Sequence, residues 1–123
     1  MSATEEWSPV CRFAELEVDR GVSALVHGQS LAIFRVAEGV FALGNHDPFD
    51  RTAVLAKGIV GHRDETTYVG SPRHRHTFDL RTGECLEDEH VSVPTYEVRV
   101  VEGVVLVGRR LQDRAPVRDR RGA

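Results

Sequence analysis

At 123 residues the chain is long enough for one domain that buries its own core, and too short for two. Its apolar content of 41% is ordinary, runs such as Val104 to Val107 are too short to cross a bilayer, and Met1 to Ser8 is acidic and polar rather than an export signal, so a cytoplasmic protein without a membrane partner is expected. Met1 to Val107 holds ten Lys and Arg against seventeen Asp and Glu, a net −7, while Gly108 to Ala123 holds six Arg against two Asp, a net +4; the acidic body excludes nucleic acid as main partner, since a phosphate backbone rewards a continuous basic face.

In chain order, Val22 to Val26 and Leu31 to Val36 predict two strands parted by the turn-like His27-Gly28-Gln29-Ser30. Val40 to Leu43 follows Glu38-Gly39 and completes a hairpin with the second. Asn45 to Lys57 shows no alternation and reads as a long loop. Tyr68-Val69, then Ser71-Pro72, leads to a strand around His76 to Leu80 that ends at Arg81-Thr82-Gly83, with Glu84-Cys85-Leu86 as a candidate extension. Glu87 to Pro94 is a second irregular loop, with Glu87-Asp88-Glu89 read as a solvated acidic stretch or a docking patch for a basic surface. Tyr96 to Val101, Glu102-Gly103 and Val104 to Val107 form a last hairpin. No window sustains a helical period, so six to nine short strands predict an all-β domain, a small antiparallel sandwich or barrel. The domain is expected over residues 1–108, and residues 109–123, basic and poor in apolar side chains, are expected to be a disordered tail. Cys11 and Cys85 lack any CxxC or CxH spacing and are expected to be free, buried thiols.

Two segments carry more specific information. Val40-Phe-Ala-Leu-Gly-Asn-His-Asp-Pro-Phe49 and Gly70-Ser-Pro-Arg-His-Arg-His-Thr-Phe-Asp-Leu-Arg-Thr-Gly83 resemble the two cluster-binding loops of Rieske iron–sulphur domains. In that family two Cys hold one iron and two His the other. Aligned on the shared Pro, Asp47 falls at the first Cys, Phe49 at the first His, Ser71 at the second Cys and His74 at the second His, so one ligand of four remains. A slip of one step in the first loop would place Gly44 and His46 on C-x-H, against the position of Pro48. The resemblance therefore implies a Rieske-type fold without the cluster.

The altered loops, together with Thr82-Gly83-Glu84-Cys85-Leu86-Glu87-Asp88 and Ser92-Val93-Pro94, resemble the small subunit of the assimilatory NAD(P)H nitrite reductase family. That resemblance implies a large-subunit partner carrying FAD, an iron–sulphur cluster and sirohaem, which reduces nitrite to ammonium. It implies no catalytic residue and no cofactor in this chain. Two other readings are a Rieske-fold interaction module for another redox partner and a small mononuclear metal protein built on histidines.

The residues themselves weigh against metal and hydrolytic chemistry. His74 and His76, with His46 and His62 as further candidates, sit beside Arg73 and Arg75, whose charge disfavours a cation, so no metal site is expected. Ser71 near His74 lacks the strained elbow and orienting acid of a nucleophile. Phe49 is expected to turn inward as an apolar plug, with Asp47 and Ser71 bonding to nearby backbone, leaving Arg73, Arg75 and His76 outward as partner-binding candidates.

Overall fold

A computed structural model of the chain describes residues 7–73 and 75–111. The described residues form nine strands: β1 (Ser8–Arg12), β2 (Gly21–Val26), β3 (Gln29–Val36), β4 (Gly39–Gly44), β5 (Ile59–Arg63), β6 (Thr66–Gly70), β7 (Thr77–Asp79), β8 (Thr95–Val101) and β9 (Val104–Leu111). Two single 3-10 turns, Phe13–Glu15 and Leu55–Lys57, are the only helical elements among them, and no helix there is long and apolar enough to cross a membrane. Six strands make an antiparallel sheet in the order β1-β9-β8-β4-β3-β2, and the other three make a small sheet, β5-β6-β7. The larger sheet curls until its two edges approach, with Ser8 Oγ on β1 3.4 Å from His27 Nε2 in the β2–β3 turn.

The tight hairpins follow from turn chemistry. His27-Gly28 and Glu102-Gly103 each hold two successive residues at positive φ, the form that matches the natural twist of paired strands and that glycine adopts at little cost.

Alternation along β3 builds two cores at once. Leu31 and Ile33 face the interior of the curled sheet with Leu16, Ala42, Val105 and Val107, whereas Ala32, Phe34 and Val36 face the small sheet with Leu43, Leu55, Val69, Phe78 and Leu80. A strand covered on both sides reads as a continuous apolar run, which is what Leu31-Ala-Ile-Phe34 shows. At ~25 cal/mol per Å², each of the buried Val, Leu, Ile and Phe side chains among these contributes on the order of 2 kcal/mol.

Several expectations are corrected. β1 was not foreseen, and its pairing with β9 is broken by a register shift between Pro9 and Cys11. β5 was not foreseen either; it pairs with β6 from Ile59↔Gly70 to Arg63↔Thr66. The strand expected over His76 to Leu80 is limited to Thr77–Asp79, and beyond it only isolated bridges join Phe78 to Cys85 and Glu84 to Ser92. Strand β9 runs on to Leu111, past the boundary expected after residue 108. The rest of the expected basic tail, residues 112–123, lies outside the described residues. Both cysteines are free, Cys85 buried and Cys11 half-buried.

Candidate functional site

The loop after β4 is held from within by Asn45, which is 4% exposed. Its Nδ2 donates to Ser30 Oγ at 3.1 Å, and its Oδ1 accepts from the Ala56 N–H at 2.7 Å. Its backbone adds bonds to Ser30 and Leu55, so both ends of the loop are fastened to one side chain and its own peptide groups. Further out, Asp47 closes a turn: its N–H donates to Thr52 O, and its carbonyl accepts from Arg51 N–H at 2.6 Å.

The loop between β6 and β7 is shorter and turns through Ser71 to His76, with Ser71 N–H donating to His76 O and Arg75 N–H to Ser71 O. Contacts join the loops in their interior and at their tip. Asp47, fully buried, accepts a 2.5 Å hydrogen bond at Oδ2 from the hydroxyl of Ser71, itself 3% exposed, while its Oδ1 accepts from Phe49 N–H at 2.8 Å. An O–H···O contact this short belongs with charge-assisted bonds. At the tip, the Phe49 ring stacks on the His76 imidazole, with centroids 3.9 Å apart and planes 16° from parallel.

Asp47 and Ser71 thus bond as expected, but chiefly to each other across the loops. Phe49 is corrected: it is 38% exposed and stacks on His76 rather than plugging the core, where the loop's own apolar contribution is Leu55 and Ala56. Arg73 is exposed, and its Nε pairs with Asp50 Oδ2 at 2.9 Å, which ties the second loop to the first. Arg75 is exposed, and His76 is half-buried under Phe49. His74 lies outside the described residues. His46 is in the first loop, bridged to Ala53, and His62 is on β5 against Thr67, so neither joins His76.

Three residues went unremarked as organisers of this end: Asn45, Asp50 and Glu87. Glu87 accepts both the N–H and the hydroxyl of Thr77, at 2.9 and 2.6 Å, and the Cys85 thiol at 3.4 Å. Burial pushes its carboxyl up, but these hydrogen bonds outweigh burial and hold it below its ordinary value. The stretch read as a solvated acidic loop therefore begins with a structural carboxylate. The one available signal was position, with Glu87 two residues after a buried Cys in a loop that must return to β8.

A [2Fe–2S] centre of this type takes two thiolates on one iron and two imidazoles on the other. Asp47 and Ser71 carry no sulfur and satisfy one another, and Phe49 has no donor atom. Among the described residues no three His, Cys, Asp or Glu side chains gather where they could hold a metal. Among the described residues, Asp47, Phe49 and Ser71 do not supply the donors that such a cluster takes.

Two loops capping one end of a curled antiparallel sheet, one of them leading into a small second sheet, define a Rieske-type domain, and residues 6–108 match the family model of the Rieske-like [2Fe-2S] domain. The chain is 38% identical over 102 residues to the nitrite reductase (NADH) small subunit of Escherichia coli (strain K12), covering 81% of this chain and 94% of that one. It superposes on the crystal structure of a Mycobacterium tuberculosis protein assigned as an NADH-dependent nitrite reductase small subunit with a TM-score of 0.81 and 43% identity, over 84% and 94% of the two chains. It is also 28% identical over 104 residues to part of the nitrite reductase [NAD(P)H] large subunit of Klebsiella oxytoca, covering 85% of this chain and 11% of that polypeptide. The chain belongs to the nitrite reductase small-subunit family of Rieske-like domains.

Proposed function

We propose that this chain is the accessory small subunit of a cytoplasmic NAD(P)H-dependent nitrite reductase of nitrate assimilation, bound to a large subunit that carries FAD, an iron–sulphur cluster and sirohaem. It holds no cluster of its own. The observation that carries this reading is the buried Asp47–Ser71 hydrogen bond, which joins the two loops at the positions where thiolates would otherwise meet at one iron. A group made to carry electrons has been replaced by one that can only hold the loops together, so the electrons pass through cofactors elsewhere. The presence of a matching domain within the Klebsiella oxytoca large subunit supports an association between the two parts of the enzyme.

Co-expression with a nitrite reductase large subunit tests this. The two chains should co-purify, and nitrite-dependent NAD(P)H oxidation should require the large chain and be absent with this chain alone. Turnover by the isolated chain, or a Rieske-like spectrum after reconstitution with iron and sulphide, overturns it.

A further inference from the structure

The end of the molecule that carries the two loops differs in surface chemistry from the rest. Phe49 is the one aromatic among the large apolar side chains left exposed in the described residues, and it is not loose. Its backbone N–H is fixed by the buried Asp47, and its ring lies flat on His76. Three arginines belong to the same two loops: Arg51, two residues after Phe49, and Arg73 and Arg75, which precede His76. Arg73 is taken up by Asp50, while Arg51 and Arg75 are exposed and paired with no acidic side chain among the described residues. Both hold backbone conformations at positive φ, 66° and 65°, fixed by N–H bonds to Asp47 O and Ser71 O. Interfaces draw most of their energy from aromatic and Arg anchors, and this tip has both, with the aromatic ring already ordered by its stack on His76.

Charge narrows the partner. The first 107 residues carry a net −7, so an acidic surface is repelled by most of this molecule and attracted at this tip, which sets the orientation of approach. Resting on the functional reading above, we propose that the Phe49–His76 stack, rimmed by Arg51 and Arg75, is the docking surface for the nitrite reductase large subunit. The site it meets there is an acidic face with an apolar recess that receives the Phe49 ring. Asp47 and Ser71 do not touch the partner; they hold the two loops in the docking shape.

The test measures the dissociation constant of the full chain from purified, cofactor-loaded large subunit at low and moderate salt, alongside the melting temperature of each variant. Phe49→Ala should weaken binding by about tenfold or more, as truncated anchors do. Arg51→Glu with Arg75→Glu should weaken binding and flatten its salt dependence, while melting close to the unmodified chain. Glu89→Lys, on the flanking acidic loop, should bind as the unmodified chain does. Should Phe49→Ala melt early, the exposed arginine pair decides alone. If the unmodified chain binds and both sets of tip variants bind within about twofold of it, or if Glu89→Lys alone disrupts binding, the docking surface is elsewhere and this inference falls. If the unmodified chain does not bind, the functional reading itself falls, and this inference with it.

Discussion

Ser71→Ala isolates the contact that stands where two thiolates would meet. The substitution removes a hydroxyl that donates to a fully buried carboxyl at 2.5 Å and accepts from Arg73 N–H at 3.2 Å. A hydrogen bond to a charged group contributes ~1.5–3 kcal/mol, and Asp47 Oδ2 would lose the partner that offsets its burial. A cost of about 2 kcal/mol follows, and at ~2.1 cal/mol/K per residue for a domain of roughly 100 residues this lowers the melting temperature by about 9 °C. Asp47→Ala should cost more, since it strands both the Ser71 hydroxyl and the Phe49 N–H. Asp47→Asn should cost less, because an amide oxygen still accepts from Phe49 and the amide nitrogen can donate to Ser71 Oγ. Thermal unfolding by circular dichroism of the two alanine variants and their double mutant gives the coupling directly. If Ser71→Ala melts within about 2 °C of the unmodified chain, or the double-mutant cycle returns less than ~0.5 kcal/mol, this bond does not hold the loops and the reasoning fails.

Three further outcomes follow from the structure. Because the Glu87 carboxyl is held below its ordinary value in the folded chain, its stabilisation is present above the unfolded value near ~4.3 and lost as pH falls through the lower folded one; Glu87→Gln should therefore lower the melting temperature at neutral pH, by an amount that shrinks on acidification below about pH 4. Gly83→Ala should be strongly destabilising, by more than ~2 kcal/mol in a denaturant titration, because Gly83 sits at φ 80° and an added Cβ would fall 2.1 Å from Val93 O in backbone that cannot give way. Cys85 is 4% exposed and its thiol is pushed up by burial, so a maleimide should label it slowly in the native chain and rapidly in guanidinium, followed by intact mass.

What the sequence made legible depended on whether a residue's role was local. The hairpins β2–β3, β3–β4 and β8–β9 announced themselves because alternation and turn residues are short-range signals, and β3 because a strand covered on both faces is apolar throughout. Strand β1 was missed because Ser-Pro-Val-Cys-Arg does not alternate and its partner, β9, is nearly a hundred residues away. Strand β5 contains Gly61, His62 and Arg63 and lies at a sheet edge, where one open side relaxes the demand for apolar residues. At the site, the motif spacing identified Asp47, Phe49 and Ser71, and the bond between Asp47 and Ser71 is a natural use of two small polar groups facing each other. The direction of Phe49 was not legible. It depends on His76, from the other loop, offering a flat ring on which Phe49 stacks, a fact of packing that no local pattern records.

Trp7 is the single tryptophan of the chain. Its indole lies over Gly108 of β9, where an added Cβ would come within 2.9 to 3.1 Å of three ring atoms, and the Arg99 guanidinium sits 4.4 Å from the centre of the indole ring. The absence of a side chain at Gly108 thus fits the molecule with its own optical label at the seam where β1 joins β9. Intrinsic emission will follow the detachment of that first strand, with the arginine as a built-in neighbour whose loss changes the signal. Emission and circular dichroism can then be read against each other in one titration: a fluorescence change that precedes the loss of sheet signal marks release of the seam, and coincident curves mark a domain that opens in a single step.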